Sequence, residues 1–490
     1  MALIVAVLIL AVVSISAAAA ISYTTIGQQD AASKKVGTSA YALAQAGLSN
    51  AMAQLLSHYY DSSGQPKDYT TSLNTMASTW APSGSQQTPT SSAACTSSST
   101  CVSWSGVLNC PVGVTCVGGS TITVSGVEKA VWHLTATGKA KNPSAPGLLT
   151  RSITVDVPVN ATPQPVSPPD ILKSVYSGAS SNGCDLQLGQ GVTFTSPVYV
   201  LGNLCINQHS GIEAGSGNLG KAVVGGWASF GQGGHIGKST TPVSSLDIAK
   251  SCDGSQSATP CTLTQPGGQT YYKNAGGDIY VSAWSNSPQF PTPPTIDWTT
   301  RQTERGAWTC TGGRSLTAAS FTLTGGAYSC TSESGSMSWD GTTLTINGNI
   351  YIDGDLSVSG DFVYSGLGNI FSNGSVSFAN NTSVCVGSTS NHDCPSGANW
   401  SNLDKNFLLI LGKNGVSGKN VSIEGGLYSD GTIDFGSGQT NIYGPIVTPG
   451  SIVPGQQAAS GFPSLLAVMS GGPDAPSPYW TLGSPTNGTY

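Results

Sequence analysis

Apolar and polar positions divide the chain into stretches with different periods. Residues 1–21 run from Met-Ala-Leu-Ile-Val-Ala-Val-Leu-Ile-Leu to Ile21 almost without a polar side chain, and no charge occurs before Asp30. About 20 apolar residues suffice to span a bilayer as a helix. Further on, Tyr41, Leu48, Met52, Leu55 and Tyr59 recur at spacings of three, four and seven, which is one face of a helix. Ala40, Ala44, Gly47 and Ala51 form a small-residue face beside it. Small faces let helices approach closely. No Pro interrupts residues 1–60. The pattern predicts a long N-terminal helix over 1–60, apolar across 1–29 and amphipathic across 36–60.

The period then changes to two. Residues 61–120 are rich in Ser, Thr and Gly and read as loops. In Ala130–Thr137, Val131, His133 and Thr135 alternate with Trp132, Leu134 and Ala136. Ser152–Val159 alternates too, and Asn142–Gly147 supplies a turn between them. This predicts an antiparallel β-hairpin inside a β head spanning 61–160. His133 on such a strand reads as structural. The run from Pro163 to Pro169 is a semi-rigid spacer, so 161–172 is a linker and 173–490 a second domain.

That second domain repeats itself. Ile346–Leu356 aligns with Ile423–Ile433. Gly366–Val376 and Ile442–Ile452 follow these two copies, and Phe194–Leu204 is a looser fifth. A period of about 20 residues, with short strands split by Gly turns, suits a parallel β-solenoid. The first, fifth and eleventh positions are mostly apolar and face inward. Ile350 should then stack on Ile370, and Leu427 on Ile446. The sixth position holds Tyr199, Tyr351, Phe371 and Tyr428, and its parity points outward, giving a candidate surface aromatic ladder. Gly-rich insertions near 210–345 and 379–420 interrupt the period. The expected fold is therefore an α+β N-terminal part followed by an all-β solenoid domain.

Composition narrows the setting. Only 9% of residues are charged and 38% are hydrophobic, so the chain is neither an ordinary charged-surface domain nor simply disordered. Eighteen Lys and Arg against 24 Asp and Glu give net −6 without a basic stripe, which argues against nucleic acid as a partner. The twelve Cys fall in close sequential pairs: Cys95 and Cys101, Cys110 and Cys116, Cys184 and Cys205, Cys252 and Cys261, Cys310 and Cys330, Cys385 and Cys394. Six sequential disulfides are the simplest reading, although spacing alone does not fix connectivity. They imply an oxidising compartment.

The apolar run of residues 1–10 followed by Ala40-Tyr-Ala-Leu-Ala-Gln-Ala-Gly-Leu48 resembles the mature N-terminus of type IV pilins, particularly the larger minor pilins and the pseudopilins of general secretion. The resemblance implies that Met1 is the residue exposed by prepilin peptidase and then N-methylated. It implies that Met1, Leu3, Ile4, Val5, Leu8, Leu10 and Val13 sit in the inner membrane first and in a filament core afterwards. Other copies of the chain, or other pilins, would be the partners. In one respect the chain departs from the family: a Glu is usual five residues into the mature chain, and here that residue is Val5. A cleaved secretory signal and a plain membrane anchor compete with this reading of residues 1–21.

Candidate chemistry is sparse. Asp353, Asp355, Asp361, Asp430 and Asp434 supply carboxylates of the kind that glycoside hydrolysis or Ca²⁺ binding uses. Asp353 and Asp430 are also turn residues of the repeat. No cofactor, catalytic or metal site is assigned. The expected function is a non-enzymatic pilin subunit of an extracellular filament, with surface glycans as a further partner. The alternatives are a membrane-anchored adhesin or glycan-binding protein, and a secreted β-helix polysaccharide enzyme.

Overall fold

The computed structural model describes residues 2–64, 73–87, 95, 99–109, 130–141, 147–162, 165–166, 169–179, 183–215, 220–252, 259–263, 270–273, 277–394, 405–460, 468–469, 472, 479–482 and 485–489. One N-terminal helix is followed mostly by β-sheet, much of it parallel. The chain divides into two units, Met1–Asn160 with Trp480–Tyr490, and Ala161–Tyr479. The sequence reading gives all of 173–490 to the second domain. Trp480–Tyr490 instead belongs with the first unit, because Tyr479–Leu482 and Thr486–Thr489 join the sheet beside Leu148–Thr162.

In the first unit the helix runs from Ala2 to Tyr59. An antiparallel sheet carries Ser83–Gln87, Cys101–Asn109, Ala130–Lys141 and Leu148–Thr162 in that order. Trp132, Leu134 and Ala136 face the core, and Ile153, Val155 and Val157 do so from the return strand. The expected amphipathic face is only partly the buried one. Leu55 and Tyr59 are buried, while Tyr41, Leu48 and Met52 are half-buried. The small face is buried instead, at Ala40, Ala44, Gly47 and Ala51. The reason is close approach of the sheet, not of another helix. A Cβ on Gly138 would overlap the Ala40 carbonyl oxygen, and one on Gly47 would press on Val102. Tyr59 closes this core, accepting a hydrogen bond from Trp132 Nε1 at 3.0 Å and meeting Trp80 edge-on.

Among the described residues, no helix is long and apolar enough to cross a membrane. Met1 and the side chains of Leu3, Ile4, Val5, Leu8, Leu10 and Val13, on which the membrane and filament-core expectation rests, lie outside the described residues.

In the second unit the repeat copies pair in parallel, in register. Ile350 lies opposite Ile370, Ile370 opposite Ile410, Ile410 opposite Leu427, and Leu427 opposite Ile446. The row continues without a break into the start of the unit, since Ile446 lies opposite Val175, Val175 opposite Val198, and Val198 opposite Ala222. Every member is buried. A second, nine-stranded sheet repeats the order, with Ile452–Val453 paired to Leu186–Leu188 at the same place. The chain therefore enters the stack in its middle at Val175. It runs to one end at Trp284–Ser285, returns through residues 286–306, and winds back from Thr343–Ile352 to meet its own start. The antiparallel strands Trp308–Cys310, Tyr328–Ser332 and Gly335–Trp339 lie at the far end.

The presumed insertions are largely part of this stack. Lys221–Val224, Ser245–Ile248, Thr382–Val386 and Phe407–Gly412 all pair within it. Loops of unequal length between successive strands hide the period from a fixed-spacing alignment; the spacing roughly doubles from Ile370 to Ile410.

Candidate functional site

The residues opposite the inward row form a second row: Tyr351, Phe371, Leu411, Tyr428, Val447, Tyr176 and Tyr199. Tyr351 and Phe371 stack with ring centroids 6.4 Å apart. They are not a surface ladder. Tyr351, Phe371 and Tyr428 are buried and Tyr199 is half-buried. The cover is the returning segment 286–306, together with Ile171 and Leu172. Asp297 caps the short helix Trp298–Glu304 by accepting from the Thr299 and Thr300 amides. That fixes Trp298, which sets its ring edge-on to Phe371. An apolar outer row is stable only when something shields it from water, and here the chain supplies the shield itself.

The turn carboxylates hold this strap in place. Arg305, fully buried, donates to Asp353 Oδ1 at 2.8 Å and lies over the Tyr351 ring. Gln302 donates to the same oxygen at 3.3 Å. Trp298 Nε1 and the Tyr428 hydroxyl donate to Asp430. The other three carboxylates are tied elsewhere. Asp355 accepts from the Ser375 amide, Asp434 from the Gly436 amide, and Asp361 from the Ser383 hydroxyl and His392. Burial works to raise the Asp361 carboxyl, and its bonds from His392 and Ser383 outweigh that and hold it below the usual range. The five acids thus serve five separate local contacts. Arg305, the partner of Asp353, escapes sequence reasoning because it sits far from the repeat copies.

Five sequential Cys pairs are joined: Cys95–Cys101, Cys184–Cys205, Cys252–Cys261, Cys310–Cys330 and Cys385–Cys394. Cys110 and Cys116 lie outside the described residues. Among the described residues, Cys385, Cys394 and Glu424 cluster as metal ligands would, but the disulfide removes both thiolates. His133 faces Asp156 across the hairpin at 2.7 Å, a cross-strand pair on a partly exposed face.

Among the described residues of the second unit, two open concavities bear on function. One, of about 500 Å³, is lined by Gln187, Gln190, Gln208, Gln232 and Gln456 with several glycines, and by no ionisable side chain. The other, of about 290 Å³, is lined by Asn381, Asn420, Gln439, Asn441, His392 and Asp393 among others. Sequence reasoning missed both, since their residues come from strands distant in the chain. No family model, curated protein or solved structure matches this chain.

Proposed function

We propose that the chain is a structural subunit of an extracellular filament of the type IV pilin kind, with no catalytic role. One observation carries this reading. Among the described residues, burial on the N-terminal helix begins at Val36, where the sheet packs, while the helix continues back to Ala2 through sequence that holds no charge before Asp30. An apolar half-helix extending beyond its own sheet calls for an apolar partner, first the inner membrane and then neighbouring helices. The second unit, read as a parallel β-solenoid, is displayed outward. Its in-register inward row supports that reading, as do disulfides suited to an oxidising exterior. The absence of catalysis is supported by the way each turn carboxylate is engaged in structural contacts.

The test is to shear surface filaments from producing cells and label them with antibody raised against residues 173–460. Label along isolated filaments is the expected result. Label confined to the membrane fraction, with unlabelled filaments, contradicts the reading.

A further inference from the structure

One corner of the second unit carries the same chemical group in strand after strand. The parallel register places Gln439 opposite Gln456 and, carried one residue back from the Thr382–Val421 and Val421–Thr440 pairs, sets Asn381 level with Asn420 and Asn420 level with Gln439. It then places Gln456 level with Gln190, Gln190 with Gln208, and Gln208 with Gln232, by extension of the adjoining strand pairings. Seven successive positions along the stack are thus side-chain amides, and the row crosses the place where the last strands of the unit meet its first. Both open concavities lie on this corner: Gln439 lines one, and the next four glutamines line the other.

Backbone geometry explains only part of the row. Asn381 and Asn420 have left-handed φ values of 58° and 52°, a conformation that Asn tolerates better than most residues. Their side chains also bond each other, Asn420 Nδ2 donating to Asn381 at 3.2 Å and to Asn380 at 2.8 Å. The glutamines have neither reason. In three strands the left-handed residue is the one after the Gln: Gly191, His209 and Gly233. Gln439, Gln456, Gln190, Gln208 and Gln232 are all exposed, and their side chains have no hydrogen-bond partner among the described residues. A purely structural amide ladder would bond along its whole axis; here only the Asn end does so, and the five glutamines leave their side-chain amides free.

We infer that this glutamine corner is a binding site for a neutral polysaccharide lying along the stack. Each amide offers a donor and an acceptor, which is what a sugar hydroxyl needs. The larger cleft carries no charge, so it does not favour an acidic polymer. Gly189, Gly231 and Gly455 line it too; a Cβ on Gly189 or Gly455 would meet a carbonyl oxygen of the neighbouring strand, so these glycines let the strands stack closely beneath the amides. Strands about 4.8 Å apart set the amides at a regular spacing that a repeating polymer can match. The inference stands on the second unit alone and does not depend on filament assembly.

The full chain is run through native gels containing amylose, dextran or hydroxyethylcellulose, with alginate and gelatin gels in parallel. Retardation by at least one neutral polymer is expected, and none by alginate. A variant carrying Gln190→Ala, Gln208→Ala and Gln232→Ala should lose about tenfold or more in affinity, as removal of a few net hydrogen bonds implies. Gln208→Ala alone should lose a smaller fraction. Because these side chains are exposed, the melting temperature should stay at the native value, which separates lost binding from lost folding. The inference is overturned by no retardation in any neutral gel, by retardation that the triple variant retains, or by retardation in alginate or gelatin that depends on the same glutamines.

Discussion

At the scale of single residues, burial on both sides of a strand decides what a substitution costs. Ile350 faces the inward row and Tyr351 the outward one, yet both are buried. An outward ladder would make Tyr351→Ala cheap. Under the strap, with Phe371 stacked on it and Arg305 over its ring, Tyr351→Ala should cost about 3–5 kcal/mol, comparable to the 2–5 kcal/mol of Ile350→Ala. Urea midpoints of the two variants check this, and a near-native midpoint for Tyr351→Ala contradicts it. A second site concerns pH. Burial works to raise the Glu213 carboxyl, but bonds from Lys238 at 2.7 Å and His235 at 2.9 Å outweigh it and hold it below the usual value. A depressed carboxyl adds stability above the ordinary Glu value of about 4.3, and that stability is lost as pH falls through the lower folded value. Glu213→Gln should therefore lower the melting temperature at pH 7, and the gap from native should close in the acid range. An equal gap at both pH values contradicts this assignment. The inward positions were legible in the sequence because Ile and Leu recur at fixed places in each copy. The cover over Tyr351 was not, because its residues lie in a Ser- and Pro-rich run that reads as loop.

At the scale of elements, close backbone approach matters as much as apolar area. The helix lies so near the strand Ala130–Lys141 that only Gly fits at position 138. Gly138→Val should force the two apart, because the obstruction is backbone and cannot rotate away. Loss of several degrees in melting temperature is expected for this variant; Thr137→Val, on the half-buried opposite face, gives up only a 2.9 Å bond to the Ser152 hydroxyl and should cost much less. Equal effects from the two would contradict the packing. The hairpin itself was legible, since alternation marks both strands, and so was the helix, from its spacing and lack of Pro. Which helix face packs was not legible. The larger side chains of the amphipathic face suggest one answer, and the small residues that admit a sheet give another.

At the scale of the whole molecule, the order of strands in the second unit differs from their order in the chain. Adjacent repeat copies, such as Ile346–Leu356 and Gly366–Val376, are neighbours in both. The pairing of Ile446–Thr448 with Val175–Ser177 joins residues from opposite ends of the unit, and no local pattern announces it. The glutamine corner was invisible for the same reason, since Gln456 and Gln190 meet only through that closure. The filament reading rests on the N-terminal helix. Leu8 belongs to the uncharged half of the helix, and an Asp there would cost about 3 kcal/mol at a bilayer centre, and more in a dry packed core. The most direct measurement is the yield of sheared filaments from cells whose only copy of the chain carries Leu8→Asp, beside a control carrying Gln28→Asp at an exposed helix position. The filament reading predicts that Leu8→Asp abolishes incorporation while Gln28→Asp incorporates normally. Filaments that contain the Leu8→Asp chain at the native level would contradict it.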